Sequence, residues 1–560
     1  MANELKPRTG GQLIVDALRV HGVDTAFCVP GESYLAVLDA LYDAREDIKL
    51  VVARQDGGAS YMAEAWAKTT GRPGVCFVTR GPGATNASIG VHTAFQDSTP
   101  MILFIGQVGN DFVEREAFQE MDYRRMFGEM AKWVAQIDRA ERIPEYVNHA
   151  FQVATSGRPG PVVLALPEDM LIQTAVVADT ARYQVVQASP APADMARLRS
   201  ALQGAKRPLL MLGGTVWTSA ACADIARFAE AAGLPVSCAF RFQDLYDNRR
   251  EHYVGDVGIG PNPKLAQRVR DADLLLVVGP RLGEMTTGGY TLIEAPCPKQ
   301  RLIHVHAGAE ELGRVYQGEL LINSGMPQFA AAAAQLKIDG SPWKDWLAGA
   351  RADYLAWNDE PAAIPGKMQM GDAIVWLRDR LPADSILTTG AGNFSGFVQR
   401  YYRFTGLRTQ VAPTNGSMGY GVPAGVAAKI AHPDRVVVSF NGDGDFLMNG
   451  QEIATAVQFG ANVIFVVVNN SMYGTIRMHQ EREYPARVHG TALVNPDFAA
   501  FARAFGLHGE TVDATADFAP AFERALAAGK PALIEVRIDP QAITTTTTLD
   551  AIRSKAKQTR

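Results

Sequence analysis

Short runs of Val, Ile and Leu alternate with amphipathic helical stretches along most of the chain, and this alternation most restricts the fold. Strands that are each followed by a helix pair in parallel through crossovers, with both sheet faces covered. The first such block contains VDTAFCVPG (23–31), IKLVVAR (48–54), PGVCFVTRGPG (73–83), PMILFIGQV (100–108) and PVVLALP (161–167), and ends near residue 180. The second holds RPLLMLGG (207–214), LPVSCAF (234–240) and ADLLLVVGPRLGE (272–284). The third runs from MGDAIVWLRDRL (370–381) to PALIEVRI (531–538). The Pro/Ala-rich QASPAPAD (187–194) reads as a linker, and the stretch from about 336 to 370 as another connection. The reading is therefore an α/β protein of three doubly wound parallel-sheet domains, over 1–180, 190–340 and 366–560. Several domains are also what 560 residues require, because single cores stop growing near about 250–300 residues. No tandem repeat is visible, and the tail after TTTTT (544–548), IRSKAKQTR, reads as basic and mobile.

Charge and cysteine usage exclude several classes. A net charge of −5 gives no electrostatic case for a nucleic acid or an anionic membrane as partner. Five cysteines (Cys28, Cys76, Cys222, Cys238 and Cys297) are scattered, odd in number and without a CxxC pair. That argues against a disulfide framework or a zinc site and fits a reducing compartment. MANELKPRTG lacks the apolar core of a leader, and no apolar run approaches the ~20 residues of a membrane span. The expectation is a soluble cytoplasmic protein.

The chemistry concentrates in the third block. RVVVSF (435–440) leads into Asn441–Gly442–Asp443–Gly444, and VIFVVV (463–468) leads into Asn469–Asn470. A carboxylate at the end of one strand and an amide oxygen at the end of the next suit a hard divalent ion that also holds phosphates, Mg2+ above all. A lone Gly–Asp–Gly is ordinary turn chemistry; the second motif makes the pair specific.

Together the two motifs resemble those of the thiamine diphosphate (ThDP) enzymes, and the resemblance, closest to acetolactate synthases and 2-oxoacid decarboxylases, extends over nearly the whole chain. It implies that the first and third blocks are the pyrimidine- and diphosphate-binding domains, with a Rossmann-like domain between them. It implies Asp443, the Asn470 side chain and the Met472 carbonyl as metal ligands. TNGSMGYGVPAG (414–425) is similar to the pyrimidine-gripping segment; Met418 would bend the cofactor, and the Gly416 carbonyl would meet its amino group. Gly390, Gly392 and Asn393 of GAGN, with Gly442 and the N–H groups of Gly444 and Asp445, would cradle the diphosphate. Gly474 and Thr475 would continue that wall. TRGPGATN (79–86) and AFQE (117–120) match segments beside the cofactor, with Gln119 near the substrate and Phe118 either there or in the core. His92, His479 and His489 are further acid–base candidates, although a histidine without a located partner is more often structural.

Three departures qualify the resemblance. RQDGGASYMAE (54–64) is similar to the segment that carries the family's activating glutamate, and Asp56 holds its place. The shorter side chain falls short by roughly 1.5 Å, which a bridging water, a shifted backbone or a deliberate Glu→Asp exchange would each account for. Alternatively Asp56 caps a helix beginning near Gly58. In GEMTTG (283–288), Met285 stands where related enzymes hold an acceptor carboxylate with arginine; His479 stands at a tryptophan's place and Glu168 of LPED at a lysine's. Losing a bidentate carboxylate receptor weakens the case for a 2-oxoacid acceptor. The segments related to FAD binding in the middle block have also drifted, which weakens the case for FAD there.

The resemblance implies a ThDP- and Mg2+-dependent enzyme acting on a small-molecule carbonyl substrate by decarboxylation or lyase chemistry, with or without carboligation. It further implies a homodimer or a dimer of dimers. Alternatives are a diketone hydrolase or acyltransferase on the same scaffold, or a weakly catalytic ThDP-binding relative. A Rossmann dehydrogenase is less well supported, since no Gly-x-Gly-x-x-Gly follows a first strand.

Overall fold

The computed structural model describes residues 6–558. The first five residues of the segment read for a leader, and the last two of the basic tail, lie outside them. The chain builds three six-stranded sheets, every strand pair parallel. The first sheet consists of β1 (Thr25–Cys28), β2 (Lys49–Val52), β3 (Gly74–Val78), β4 (Met101–Gln107), β5 (Trp133–Gln136) and β6 (Pro161–Pro167), in the order β2-β1-β3-β4-β6-β5. The second consists of β7 (Pro208–Leu212), β8 (Val236–Cys238), β9 (Tyr253–Asp256), β10 (Leu274–Val278), β11 (Arg301–His306) and β12 (Leu320–Asn323), ordered β9-β8-β7-β10-β11-β12. That is the dinucleotide-fold order. The third consists of β13 (Ile386–Thr389), β14 (Gln410–Val411), β15 (Val437–Gly442), β16 (Ile464–Asn469), β17 (His508–Val512) and β18 (Ala532–Arg537), ordered β14-β13-β15-β16-β18-β17. The central strands β3, β4, β15 and β16 are buried along their whole length. Their continuous apolar runs are what a sheet covered on both faces selects.

By contacts the chain divides into two compact units. One takes residues up to Val186 with Val426–Ala431 and Asn449–Ala461; the other takes Gln187–Gly425, His432–Met448 and Asn462 onward. In the first unit the Asp56–Thr70 helix packs on the Gly81–Asp97 helix through small residues. A Cβ on Gly90 would lie 2.3 Å from the Ser60 hydroxyl oxygen. The Asp56–Thr70 helix stops at Gly71, in the left-handed region at φ 73°, as helix C-termini commonly do.

Four expectations need correction. Helix formation starts at Asp56 itself, and the cap is Gln55, whose side chain accepts from the Gly58 N–H at 2.9 Å. The linker QASPAPAD already contains the first turn of a helix, Pro192–Gln203, with Pro192 where its missing N–H costs nothing; the connection before residue 370 carries the helix Lys344–Asn358. Finally, the basic tail forms the helix Leu549–Gln558, pinned by Arg553 to buried Glu481 at 2.7 and 2.8 Å. A bidentate guanidinium–carboxylate pair orders what composition alone marks as mobile. Among the described residues no helix is long and apolar enough to cross a membrane.

Where β9 ends, burial pushes the Asp256 carboxyl up to about 7, although side-chain amides of Gln243 and Gln399 donate to it at 3.1 and 3.2 Å. Asp244 is likewise pushed up to about 6 by burial. A carboxyl with a raised folded pKa stabilises the fold fully below its unfolded pKa, and that contribution disappears as pH rises through the folded value. These two groups should therefore make the cofactor-free protein less stable at pH 8 than at pH 5, by roughly 3 kcal/mol for Asp256 and roughly 1 kcal/mol for Asp244. Asp256→Asn should flatten that slope in urea unfolding across this range. An unchanged slope would mean that Asp256 is ionised throughout.

Candidate functional site

In the second unit the two motifs stand at the carboxyl ends of the adjacent parallel strands β15 and β16. Gly442 closes β15 and Asp443 opens a short helix, Asp443–Phe446. After β16 the two asparagines build consecutive side-chain turns. Asn469 Oδ1 accepts from the Ser471 N–H at 3.0 Å, and Asn470 Oδ1 from the Met472 N–H at 3.2 Å. Ser471 is thereby held in the left-handed region at φ 56°, a strain that marks functional turns. The turn is tied down by Tyr473 N–H to the Thr491 carbonyl and Leu493 N–H to the Ser471 carbonyl, both 2.9 Å.

Asn495, which the sequence reading missed, joins the motifs. Its amide donates to Asp443 Oδ2 at 2.8 Å and to Asn469 Oδ1 at 3.0 Å. Its own Oδ1 is buried without a partner. Asp443 is buried, and burial raises its pKa against the pull of these hydrogen bonds. The glycines admit close backbone approach: a Cβ on Gly444 would lie 2.5 Å from the Tyr473 ring, and one on Gly474 2.9 Å from Asn470 Nδ2.

The GAGN turn and the GSMGYG turn are held by one buried carboxylate and one buried guanidinium. Asp445 accepts from the Ala391 N–H at 3.2 Å and the Gly419 N–H at 2.8 Å. It fills the space where a Cβ on Gly390 would sit, 2.0 Å from Oδ2. Arg241 donates to the carbonyl of Gly390 in the first turn and to that of Pro413, three residues before the second. Asn393 is fixed by Thr475, whose hydroxyl meets its N–H at 3.2 Å and its Oδ1 at 3.0 Å. Gly392 and Gly416 have positive φ, 157° and 70°; Gly416 is exposed and Met418 half-buried beside it.

In the first unit Asp56 is buried, 8% exposed. Asn86, at the end of TRGPGATN, donates to its Oδ2 at 3.3 Å, while Oδ1 is buried without a partner. Burial raises the Asp56 pKa, so its carboxyl keeps a proton to higher pH than an exposed aspartate. Gln119 lies in a loop where Glu114, Glu116 and Gln119 all have positive φ, and its carbonyl accepts from the Gly81 N–H at 3.0 Å. Phe118 is 70% exposed, which removes the core reading. Glu168 is held at 2.6 Å by Arg80, a buried cation that the motifs did not single out. His92 is half-buried, whereas His479 and His489 are exposed.

Comparison with known proteins decides the family. Residues 8–126, 195–332 and 390–536 match the N-terminal TPP-binding, central and C-terminal TPP-binding domains of thiamine pyrophosphate enzymes, TPP being another name for ThDP. The chain is 30% identical to the acetolactate synthase isozyme 2 large subunit of Escherichia coli (strain K12), covering 95% of each chain. It is 31% identical to the acetolactate synthase large subunit of Parasynechococcus marenigrum (strain WH8102), over 96% of this chain and 88% of that one. The Lactococcus lactis large subunit is 30% identical, over 95% and 93%. The chain belongs to the thiamine pyrophosphate enzymes, among relatives of acetolactate synthase.

The groups that the resemblance implies as metal ligands are one buried carboxylate, an amide oxygen and a backbone carbonyl, all hard oxygens of the kind Mg2+ prefers. Among the described residues no cluster of three or more His, Cys, Asp or Glu offers another metal site. In the second unit the orphaned oxygens of Asn495 and Asp445 are buried polar atoms of the kind that a bound polar group satisfies. The residues fit the group.

Proposed function

We propose that this ThDP enzyme requires Mg2+ and breaks a carbon–carbon bond beside the carbonyl of a 2-oxoacid or related small molecule, with carboligation as an available second step. The observation that carries the reading is that Asn495 joins Asp443 to Asn469, the neighbour of Asn470, at the ends of β15 and β16. When bound, the cofactor supplies the electron sink for the carbanion left by bond cleavage. Asp443, the Asn470 side chain and the Met472 carbonyl would hold the metal. Gly390, Gly392, Asn393, Gly442, Gly444, Asp445, Gly474 and Thr475 would form the diphosphate wall. Met418 would support the bent form, the Gly416 carbonyl would accept from the amino group, and the Asp56 carboxyl would donate to the pyrimidine ring. Gln119 would face the substrate. Five free cysteines accord with a reducing cytoplasm, and nothing in the reading depends on FAD.

The test is deuterium exchange at C2 of bound ThDP, followed by product mass spectrometry on 2-oxoacids, acyloins, diketones and 2-oxoacyl-CoA esters. Accelerated exchange with a product from one class supports the reading; ThDP binding without acceleration would make the chain a binding-only relative. A hydrolase or acyltransferase acting on a diketone or acyl-CoA is the second reading. It is favoured by Met285 in place of an arginine, and by Glu168 being paired with Arg80.

The working unit is proposed to be a homodimer or dimer of dimers, with Asp56 and Asp443 of one active site contributed by different chains. Mixing inactive Asp56→Ala and Asp443→Ala proteins under subunit exchange should restore activity, because a mixed dimer regains one intact site. No recovery after verified exchange would refute shared sites.

A further inference from the structure

The N-terminus of the helix that begins at Asp56 is closed by a carboxylate from a distant part of the chain. Glu452, fully buried, accepts the Arg54 N–H at 3.0 and 3.2 Å on its two oxygens and the Gln55 N–H at 3.0 Å. The Thr455 hydroxyl donates to the same carboxylate at 2.6 Å. Packing is so close that a Cβ on Gly58 would lie 2.6 Å from Glu452 Oε1. A second bond fastens the same corner: the Arg54 guanidinium donates to Gln458 at 2.6 Å. Glu452 ends the short turn Gly450–Glu452, a few residues beyond the Asp443 helix, and Asn449–Ala461 belongs to the compact unit of the Asp56 helix.

A fully buried carboxylate is costly unless its hydrogen bonds and the local field compensate. Here it takes the N–H groups of the two residues before Asp56, at the helix end where the backbone dipole favours negative charge. Gln55 meanwhile caps Gly58 from the other side. The backbone on both sides of the Asp56 Cα is thus fixed by side chains.

We propose that Glu452 is a positioning residue: it fixes the backbone of residues 54–56 and so sets where the Asp56 carboxyl stands. The inference rests on Asp56 being the activating carboxyl. A short side chain has fewer torsions with which to absorb a backbone displacement, and misplacement by about 1 Å can cost about 10²-fold in rate.

The test uses the full-length chain with Glu452→Ala, Glu452→Gln and the milder Thr455→Val. Amide hydrogen exchange over residues 54–58 is read in the cofactor-free protein, the ThDP Kd by calorimetry in Mg2+, and C2 exchange per bound cofactor. Expected are loss of protection at Arg54 and Gln55, little change in Kd, and C2 exchange slowed about tenfold or more in Glu452→Ala. Glu452→Gln and Thr455→Val should shift both rates in the same direction by less. A purely structural role would lower stability without slowing exchange in the protein that remains folded and loaded. Lost protection with unchanged C2 exchange, or unchanged protection, overturns the proposal. If Glu452→Ala does not fold, Thr455→Val decides by the same criteria. A wild type that binds ThDP yet fails to accelerate C2 exchange sinks the reading of Asp56 instead, an outcome distinct from those.

Discussion

Asp443→Ala is expected to abolish measurable ThDP binding in the presence of Mg2+. Asp443 is the only carboxylate in the proposed ligand set, and without it the protein would offer a divalent ion only neutral oxygens. Asn470→Ala should weaken binding less, because waters can replace one amide oxygen on Mg2+. Asn495→Ala tests the structure most directly. It deletes the amide that holds Asp443 Oδ2 at 2.8 Å without touching a proposed ligand, and loss of such a supporting partner costs about 10–100-fold in metal affinity. Calorimetry with Mg2+ and ThDP should therefore rank wild type above Asn470→Ala and Asn495→Ala, with Asp443→Ala last. Unchanged affinity in Asp443→Ala would remove the metal assignment, and unchanged affinity in Asn495→Ala would show that Asp443 needs no orientation.

The second large effect is expected at Asp56. Asp56→Ala and Asp56→Asn should slow C2 exchange of bound ThDP by about 10²–10⁴-fold, the range for loss of an acid–base contact, at nearly constant affinity. Asp56→Glu should accelerate it if the shorter carboxyl limits the rate. Asn86 holds one oxygen of Asp56 and the other is buried without a partner, so a longer side chain gains reach toward a cofactor but loses its alignment with Asn86. Slower exchange in Asp56→Glu would show that Asn86 and its neighbours are built around aspartate. Exchange in Asp56→Ala equal to wild type would move the activating role to another group.

The sheets were legible because parallel strands covered on both faces must be continuous apolar runs, as MILFIGQ and IFVVVN are. Asp443 and the two asparagines were legible because local turn chemistry shapes the ends of β15 and β16. Asn495 was not: Asn–Pro–Asp reads as a turn, and Asp497 indeed caps the helix Phe498–Ala504, while the contact with Asp443 is long-range. Glu452 and Arg241 escaped for the same reason, since each acts on backbone groups more than a hundred residues away. Asn86 was the last residue of a recognised segment, yet only the fold brings it to Asp56. The helical tail was misread because composition cannot foresee that Arg553 meets Glu481.

The strand order of the first sheet and that of the third are one and the same, and this gives the chain a hidden internal equivalence. The turn after the third strand is Gly81–Pro82–Gly83 in one sheet and Gly442–Asp443–Gly444 in the other. Proline offers neither a carboxylate nor an N–H, so of these two matched glycine turns only the second carries a side-chain oxygen at its centre. The two like sheets thus differ at the centre of one matched turn, where Asp443 supplies a carboxylate and Pro82 supplies none.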